Sequence, residues 1–465
     1  MGTLTSLMDL SKQALMADQA ALDVTSANVA NQNTPGYTRQ IVNWQPTDAV
    51  TLSGLTYSTG ITTTAVSQRD RILEQRVQQQ TQTQSQSGAL ESALQQVQTI
   101  FGLSSTATSA SSTALGSATN AFFSSLSALE ANPSDASTRQ SVLTAANNLT
   151  SVFNSAANQL AQVSSGLDQQ VGTAVGQINA LTKTIASLNQ QIASSSPNAD
   201  AGTLEDQRQL AITQLSQYVG LNQMTTESNG ITLTTANGAL LVSGSQSYAL
   251  STTLVAGKTD VVASGQDVTA GLSGGQLGGV LKARDQELPT YASALDNLAY
   301  GIATAVNQQN ALGTDGNGNP GQAIFSLPAT AAGAAASIQV ATSDPKAVAA
   351  ASVGEGSAGN GNAVAMADLS TANVVGGQTA TGFLAAFLGQ IGNDTSGAAT
   401  DNTAQQATLT QLTSQRNSLS GVSLDEEASN LTQYQRSYEA AAKVFSIVDT
   451  IMASALNLGV QTTVS

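Results

Sequence analysis

From Leu4 to Asn31 the apolar positions fall on a helical stripe. Met8, Leu15, Leu22 and Val29 recur every seven residues, and Leu7, Leu10, Ala14, Ala17, Ala21 and Val24 widen the stripe beside them. The spacing predicts a helix about 40 Å long at ~1.5 Å per residue. The far end of the chain repeats the pattern, with Leu424, Leu431, Tyr438, Phe445 and Met452 at intervals of seven and Val444, Ile451 and Leu458 as a second line. Ser423 with Glu426 three residues on reads as a capping box, while Asp425 and Glu427 suit the positive end of the helix dipole. Gly459 is the expected stop, giving a helix of roughly 50 Å.

The most regular pattern lies inside. Val142, Ala146, Leu149, Phe153, Ala156, Leu160, Val163 and Leu167 alternate steps of four and three, and after one extra step of four the alternation resumes from Val171 to Ile192. This is a coiled-coil seam with one stutter, started by Asn132-Pro133-Ser134-Asp135 and stopped by Ser194 to Pro197. Further helices are expected at about 68–100, 203–219, 278–310 and 380–416. Residues 37–67 are rich in Thr, Val and Ile and read as extended structure broken at Gly54 and Gly60. Between 222 and 268 the period changes to two, with Asn237-Gly238 in a hairpin position, and a weaker extended stretch covers 337–343. The segment 354–362, GEGSAGNGN, reads as a flexible loop. The fold class that follows is mainly α: a long coiled-coil rod formed with both chain termini, plus a small β-rich outer insertion.

Composition narrows the chemistry. The 465 residues carry a net charge of −15, which leaves no basic patch to displace phosphate counterions and argues against a nucleic-acid partner. Apolar runs fall far short of the ~20 residues of a membrane span, and the first ten residues lack the basic head and apolar core of a signal peptide. With neither cysteine nor histidine, the usual zinc sites, histidine triads and commonest general base are absent. Structure or binding is therefore expected, not catalysis, with no cofactor.

The remaining motifs have plain explanations. GNGNPG at 316–321 satisfies G-x-G-x-x-G, but a helix precedes it and Pro320 falls inside, so a dinucleotide loop is not expected. Asp315, Asn317 and Asn319 begin like a calcium loop, yet Pro320 and Ser326 stand where glycine and glutamate are needed. A polar turn is the reading for both. Asp425, Glu426 and Glu427 are consecutive, so they point around their helix and do not form a carboxylate pair. The terminal stripes allow two readings, an ordinary bundle within one subunit or helices covered by neighbouring subunits. Their thin apolar seams and alanine-rich faces favour the second, because helices without tertiary packing are marginal in water. Between stripe and strand, SANVANQNTPGYTRQ (26–40) stops the first helix at Pro35-Gly36, a turn dipeptide.

The two ends resemble a known family. ANVANQNTPGYTRQ near the start and GVSLDEEASNLTQYQRSYEAAAKVFSIVDTIMASALNLG at the end are similar to the paired terminal signatures of bacterial flagellar axial proteins, the rod, hook and hook-associated subunits. Tyr37-Thr38-Arg39-Gln40, LEDQRQLAITQLSQYVG (204–220) and the glycine-to-phenylalanine block at 274–325 are similar to the hook-associated protein 1 family. The resemblance implies a subunit at the junction of hook and filament, exported without a cleaved signal peptide to the extracellular flagellum. It implies an inner assembly domain of paired helices from 1–62 and 418–465, a helical rod from 63–221, 273–325 and 366–417, and an outer β-rich insertion from 222–272 and 326–365. The implied partners are copies of the chain in a ring, hook protein below, a second junction protein and filament above, and an export chaperone at the C-terminal helix. The implied interface comprises the two heptad stripes above with Asn28, Asn31, Asn33, Pro35, Gly36, Tyr37 and Arg39. The asparagines would satisfy backbone groups where the inner helix ends, and Tyr37 and Arg39 would reach neighbouring subunits. Two alternatives stay open: a hook or distal-rod subunit, which shares the ends without the internal blocks, and a secreted cell-wall hydrolase or adhesin with flagellar-type ends.

Overall fold

The computed structural model describes residues 2–46, 49–52, 55–58, 60–103, 110–195, 201–226, 229–356 and 358–461. Helix α1 (Gly2–Asn31) leads into two hairpins, β1 (Gln40–Pro46) with β4 (Ile61–Ser67) and, between them, β2 (Ala49–Leu52) with β3 (Leu55–Ser58). The expected break at Gly54 lies outside the described residues. Helix α2 (Arg71–Ile100) begins where the Asp70 carboxylate accepts the N–H groups of Ile72 and Leu73. Helix α3 (Ala114–Ala131) begins at Thr113, whose hydroxyl accepts the Gly116 N–H. This helix was not expected, although Leu115, Ala118, Phe122, Leu126 and Leu129 form a buried helical stripe on it.

Helix α4 (Ala136–Ser195) is the spine, about 90 Å long for its 60 residues. The Asp135 carboxylate receives the N–H groups of Ser137 and Thr138, as the Asn132–Asp135 start requires. Of its predicted seam, Val142 to Leu160, Leu167 to Ile178, Ile185, Leu188 and Ile192 are buried, and Val163 and Leu181 are half-buried. Several elements share this seam. Helices α3 and α5 (Thr203–Tyr218) pack along it, followed by α6 (Gly275–Lys282) and α7 (Leu288–Ala311), which a single π turn at 283–287 joins. Helix α10 (Ala380–Ser420) lies along α2, with Gln80 on Gln405, Gln84 and Glu91 on Asn402, and Arg416 on Glu74. A chain poor in large apolar groups thus joins two long helices with a ladder of amides closed by one ion pair.

The strands occupy the middle of the sequence. One antiparallel sheet runs in the order β5 (Leu221–Thr225), β6 (Ile231–Thr235), β7 (Leu240–Ser243), β8 (Gln246–Ser247). Asn237-Gly238 turns β6 into β7, with Gly238 at φ +89°. A second sheet has β10 (Lys258–Ala263) between β9 (Leu250–Val255) and β11 (Gln266–Asp267). Asn179 and Asn189 of α4 bind the backbone of both sheets, at Leu250 and at Ile231 and Gly244.

Residues 326–365 do not join these sheets. Among the described residues they hold only two-residue pairings, β12 (Gly313–Thr314) with β15 (Ala351–Ser352) and β13 (Phe325–Ser326) with β14 (Gln339–Val340). The extended stretch expected at 337–343 contributes β14 alone. Helix α8 (Ala334–Ser337) and helix α9 (Gly361–Asp368) complete the segment, the latter starting inside the expected flexible loop. Its buried Ala334, Ala335, Ile338, Val348 and Ala350 are small enough to lie close on α4 and α7. Asn154 and Arg139 of α4 bind its carbonyls at Ala335, Ile338 and Val348. Asn154 and Asn179 are 25 residues apart on one helix, about 37 Å at the usual rise, so the two pieces of the expected insertion occupy different stretches of the spine. The Asp315 carboxylate accepts the N–H groups of Asn317 and Asn319, making GNGNPG a polar turn.

Candidate assembly site

Helix α11 (Leu424–Gln461) pairs with α1, and both leave the body at one root. The described helix continues past Gly459 to Gln461, so that glycine is not the stop. The root starts with Pro35-Gly36. Gly36 has φ +80°, and a Cβ there would lie 3.1 Å from Leu210 Cβ on α5, so both conformation and close approach call for glycine. The turn returns the chain past the last turns of α1, where Asn28 is fully engaged. Its amide donates to the Gln40 carbonyl (2.8 Å) and to Glu427 (3.1 Å), and its carbonyl accepts the Gln40 N–H (3.0 Å) and the Tyr37 hydroxyl (2.9 Å). Asn31 donates to the Ala27 carbonyl and accepts the Thr34 hydroxyl, and Asn33 is exposed.

Arg39 completes the joint. Its guanidinium grips Glu427 (2.7 Å) and Glu426 (2.9 Å) in the first turn of α11, and its N–H donates to the Ser420 carbonyl at the end of α10. Burial pulls this guanidinium down, but the bonds and charges of the two glutamates outweigh it and hold its pKa above the ordinary value. Glu427 is only 1% exposed. On the body side, the Thr38 N–H donates to Asp206 (3.0 Å), and Arg69 binds both Asp206 and Glu205. Burial, then the charges of Asp206 and Glu427, push the Tyr37 hydroxyl up to about 12. Tyr37 and Arg39, the residues expected to reach neighbouring subunits, thus make these bonds within their own chain. The acids at 425–427 act similarly: Glu426 and Glu427 serve this joint beyond any effect on the helix dipole.

The pairing of α1 with α11 also differs from the heptad reading. The buried positions of α1 are Ser11, Ala17, Asp18, Ala21, Thr25 and Asn28, a line of small and polar side chains, and Ser437 of α11 donates to Asp18 (2.9 Å). Met8, Leu15 and Leu22 are half-buried, and Leu7, Leu10, Met16 and Val29 are exposed. Small side chains bring two helices close and leave the larger ones at the margin or outside. On α11, Leu431, Phe445 and Met452 are half-buried beside buried Val448, while Leu424 and Tyr438 are exposed. The second line faces outward, with Val444 46% and Ile451 47% exposed and Ile447, outside the predicted line, 59% exposed beside them; the side chain of Leu458 lies outside the described residues. The β1–β4 hairpin braces the pair. Gln13 of α1 accepts the Ile61 N–H, and Trp44 packs 6.3 Å from Tyr434 of α11.

A helical body whose two chain ends leave together as one amphipathic pair defines an axial subunit of the bacterial flagellum, and the comparisons with known proteins agree. Residues 8–38 match the flagella basal body rod protein family and residues 413–458 the C-terminal family of flagellar basal body rod FlgEFG proteins. Residues 94–325 match the flagellar hook-associated protein FlgK helical domain. Flagellar hook-associated protein 1 of Bacillus subtilis is 30% identical over 499 residues, covering 97% of each chain. The proteins of the same name from Salmonella typhimurium and Escherichia coli are each 27% identical, covering 98% of this chain and all of theirs. The chain belongs to the flagellar hook-associated protein 1 family. The fold is also that of the flagellar hook junction protein FlgK from Burkholderia pseudomallei, with a TM-score of 0.68 and 20% identity over 75% of this chain and all of the other.

Proposed function

We propose that this chain is a structural subunit of the junction that connects hook to filament, built by lateral packing of α1–α11 pairs from neighbouring copies. The observation that carries the reading is the outward apolar line Val444, Ile447 and Ile451 on a helix whose inner face is already paired with α1. Such a face in a single chain is a surface for association. Leu7, Leu10 and Met16 supply the corresponding exposed apolar groups on α1. On this reading the ring of copies sits on hook protein and receives a second junction protein and the filament, outside the cell, and an export chaperone covers the same stripe of α11 before assembly. The match over 94–325 favours this over a hook or distal-rod subunit. A cell-wall hydrolase would need a free carboxylate constellation, whereas the clustered acids Glu74, Glu205 and Asp206 are each held by an arginine.

The test is electron microscopy of hook ends in cells that lack this chain. Bare hooks that regain filaments with the wild-type chain support the reading. The double variant Val444→Asp, Ile451→Asp is expected to leave hooks bare while the purified protein melts as the wild type does. Full restoration of filaments by that variant would overturn lateral packing through this face.

A further inference from the structure

A second site lies on the body beside the root. Between the start of α2, helix α5 and the β5–β6 edge is a cavity of about 120 Å³, lined among others by Arg69, Arg71, Glu74, Gln78, Glu205 and Arg208. Ligand pockets for drug-sized molecules run to ~300 Å³ or more, so this one suits a single small group. Its acids are already engaged: Glu74 holds Arg416 (2.9 Å), and Glu205 holds Arg69 (3.0 Å) and Asn229. Around these acids stand the guanidiniums of Arg69, Arg71, Arg208 and Arg416, with Asp206 bound to Arg69.

Arg208 is the member of this group held by neutral acceptors. It is buried, and it donates to the Asn189 side chain (3.0 Å) and the Asn229 carbonyl (2.7 Å), both neutral acceptors. Among the described residues no carboxylate lies within ion-pairing distance of it. Two more buried atoms in the lining have no partner among the described residues: Arg69 Nε, a donor on a side chain only 9% exposed, and Gln78 Oε1, an acceptor on a residue 2% exposed. Buried polar atoms of a native structure are almost always bonded to protein, water or a ligand. Arg71 opens the first turn of α2 and is exposed, so it stands at the positive end of a 30-residue helix. Asp70 already takes the N–H groups of that turn, so side chains must do the binding.

We propose that this cavity binds one small phosphate-type oxyanion, with Arg71, Arg208 and the free Nε of Arg69 as cationic donors and Gln78 Oε1 as the acceptor for its hydroxyl. Hydrogen phosphate offers both faces of that pattern, anionic oxygens for guanidinium N–H groups and one O–H for the amide oxygen. A nucleotide is too large for the volume, and sulfate lacks the donor. Binding would tie α2 and α5 to the β5–β6 edge next to the root.

The test is isothermal titration of the full-length chain with inorganic phosphate at fixed ionic strength, with sulfate in parallel. One-site saturation by phosphate, with sulfate clearly weaker, is expected. Arg71→Gln should weaken phosphate binding by about tenfold or more, the worth of one charge-assisted contact. Because Arg71 is exposed, that variant folds and melts as the wild type does in chloride; Arg208→Gln adds a second arm if it remains folded. Absence of saturable binding, equal affinity for sulfate, or unaltered binding in Arg71→Gln would each overturn the proposal.

Discussion

Glu427 is the residue on which the root closes, because it meets Arg39 and Asn28 together while almost wholly removed from water. Truncating one member of a buried ion pair leaves the other charge uncompensated and costs about 3–5 kcal/mol. Arg39 keeps Glu426, which is exposed, so Glu427→Ala is expected to cost about 3 kcal/mol, at the lower end of that range. The effect should be read locally, as loss of α11 docking seen in the emission of Trp44, the chain's one tryptophan, which packs on Tyr434. Unchanged emission and melting would remove Glu427 from the joint. Tyr37 gives the root a pH dependence. In the folded chain its hydroxyl titrates near 12, above the ordinary 10.0. A folded pKa raised in this way gives stability that is fully present below pH 10 and lost as pH rises through about 12, because the unfolded chain releases its proton first. Tyr291 is raised as well, through burial and its bond to Asp394, so the informative quantity is the difference between wild type and Tyr37→Phe. That variant should lose about 1 kcal/mol at neutral pH with the Asn28 bond and show a shallower alkaline decline. An identical alkaline limb in both proteins would mean that Tyr37 ionises equally in the folded and unfolded chain.

Among the elements, the α1–α11 pair differs most from the rest. In α4, mostly large aliphatic side chains fill the seam, whereas among the described residues the fully buried apolar groups of the terminal pair are Ala17, Ala21 and Val448. So little apolar area gives the pair a low opening free energy, and regions of that kind exchange their amide hydrogens through local unfolding. In the isolated subunit, amides before Thr25 and beyond Leu431 are expected to exchange rapidly, while those of Thr38 to Gln40 stay protected by Asp206, Ser420 and Asn28. Protection of α1 equal to that of α4 would show that the ends order without neighbours. Much of this element layout is legible in the sequence. The seam of α4, the boundaries of α1 and α2, and the Asn237-Gly238 hairpin all follow from local period and turn chemistry. Helix α3 was equally periodic, but its serines and threonines mask the stripe of Leu115, Phe122 and Leu126. The true pairing face of α1 was not legible, since a line of Ser, Ala, Asp and Thr carries no hydrophobic signal, and the louder leucine line lies beside it.

At the scale of the whole molecule, one long helix organises two separate attachments, the sheets of 221–267 towards one end and the alanine-rich segment 326–352 towards the other. Local sequence does not tell where along the spine each lies; asparagines spaced along α4 hold them there. The root shows the same limit more sharply. Arg39 and Glu427 were each conspicuous in the sequence, but nothing local connects residues 388 positions apart. That separation also fixes a timetable. The contacts within the body form from segments up to α10, whereas the clasp around Arg39 must wait for Glu426 and Glu427 of α11. Until α11 is in place the trunk stands with one unfastened base, because Arg39 and Asn28 have no Glu427 to close on.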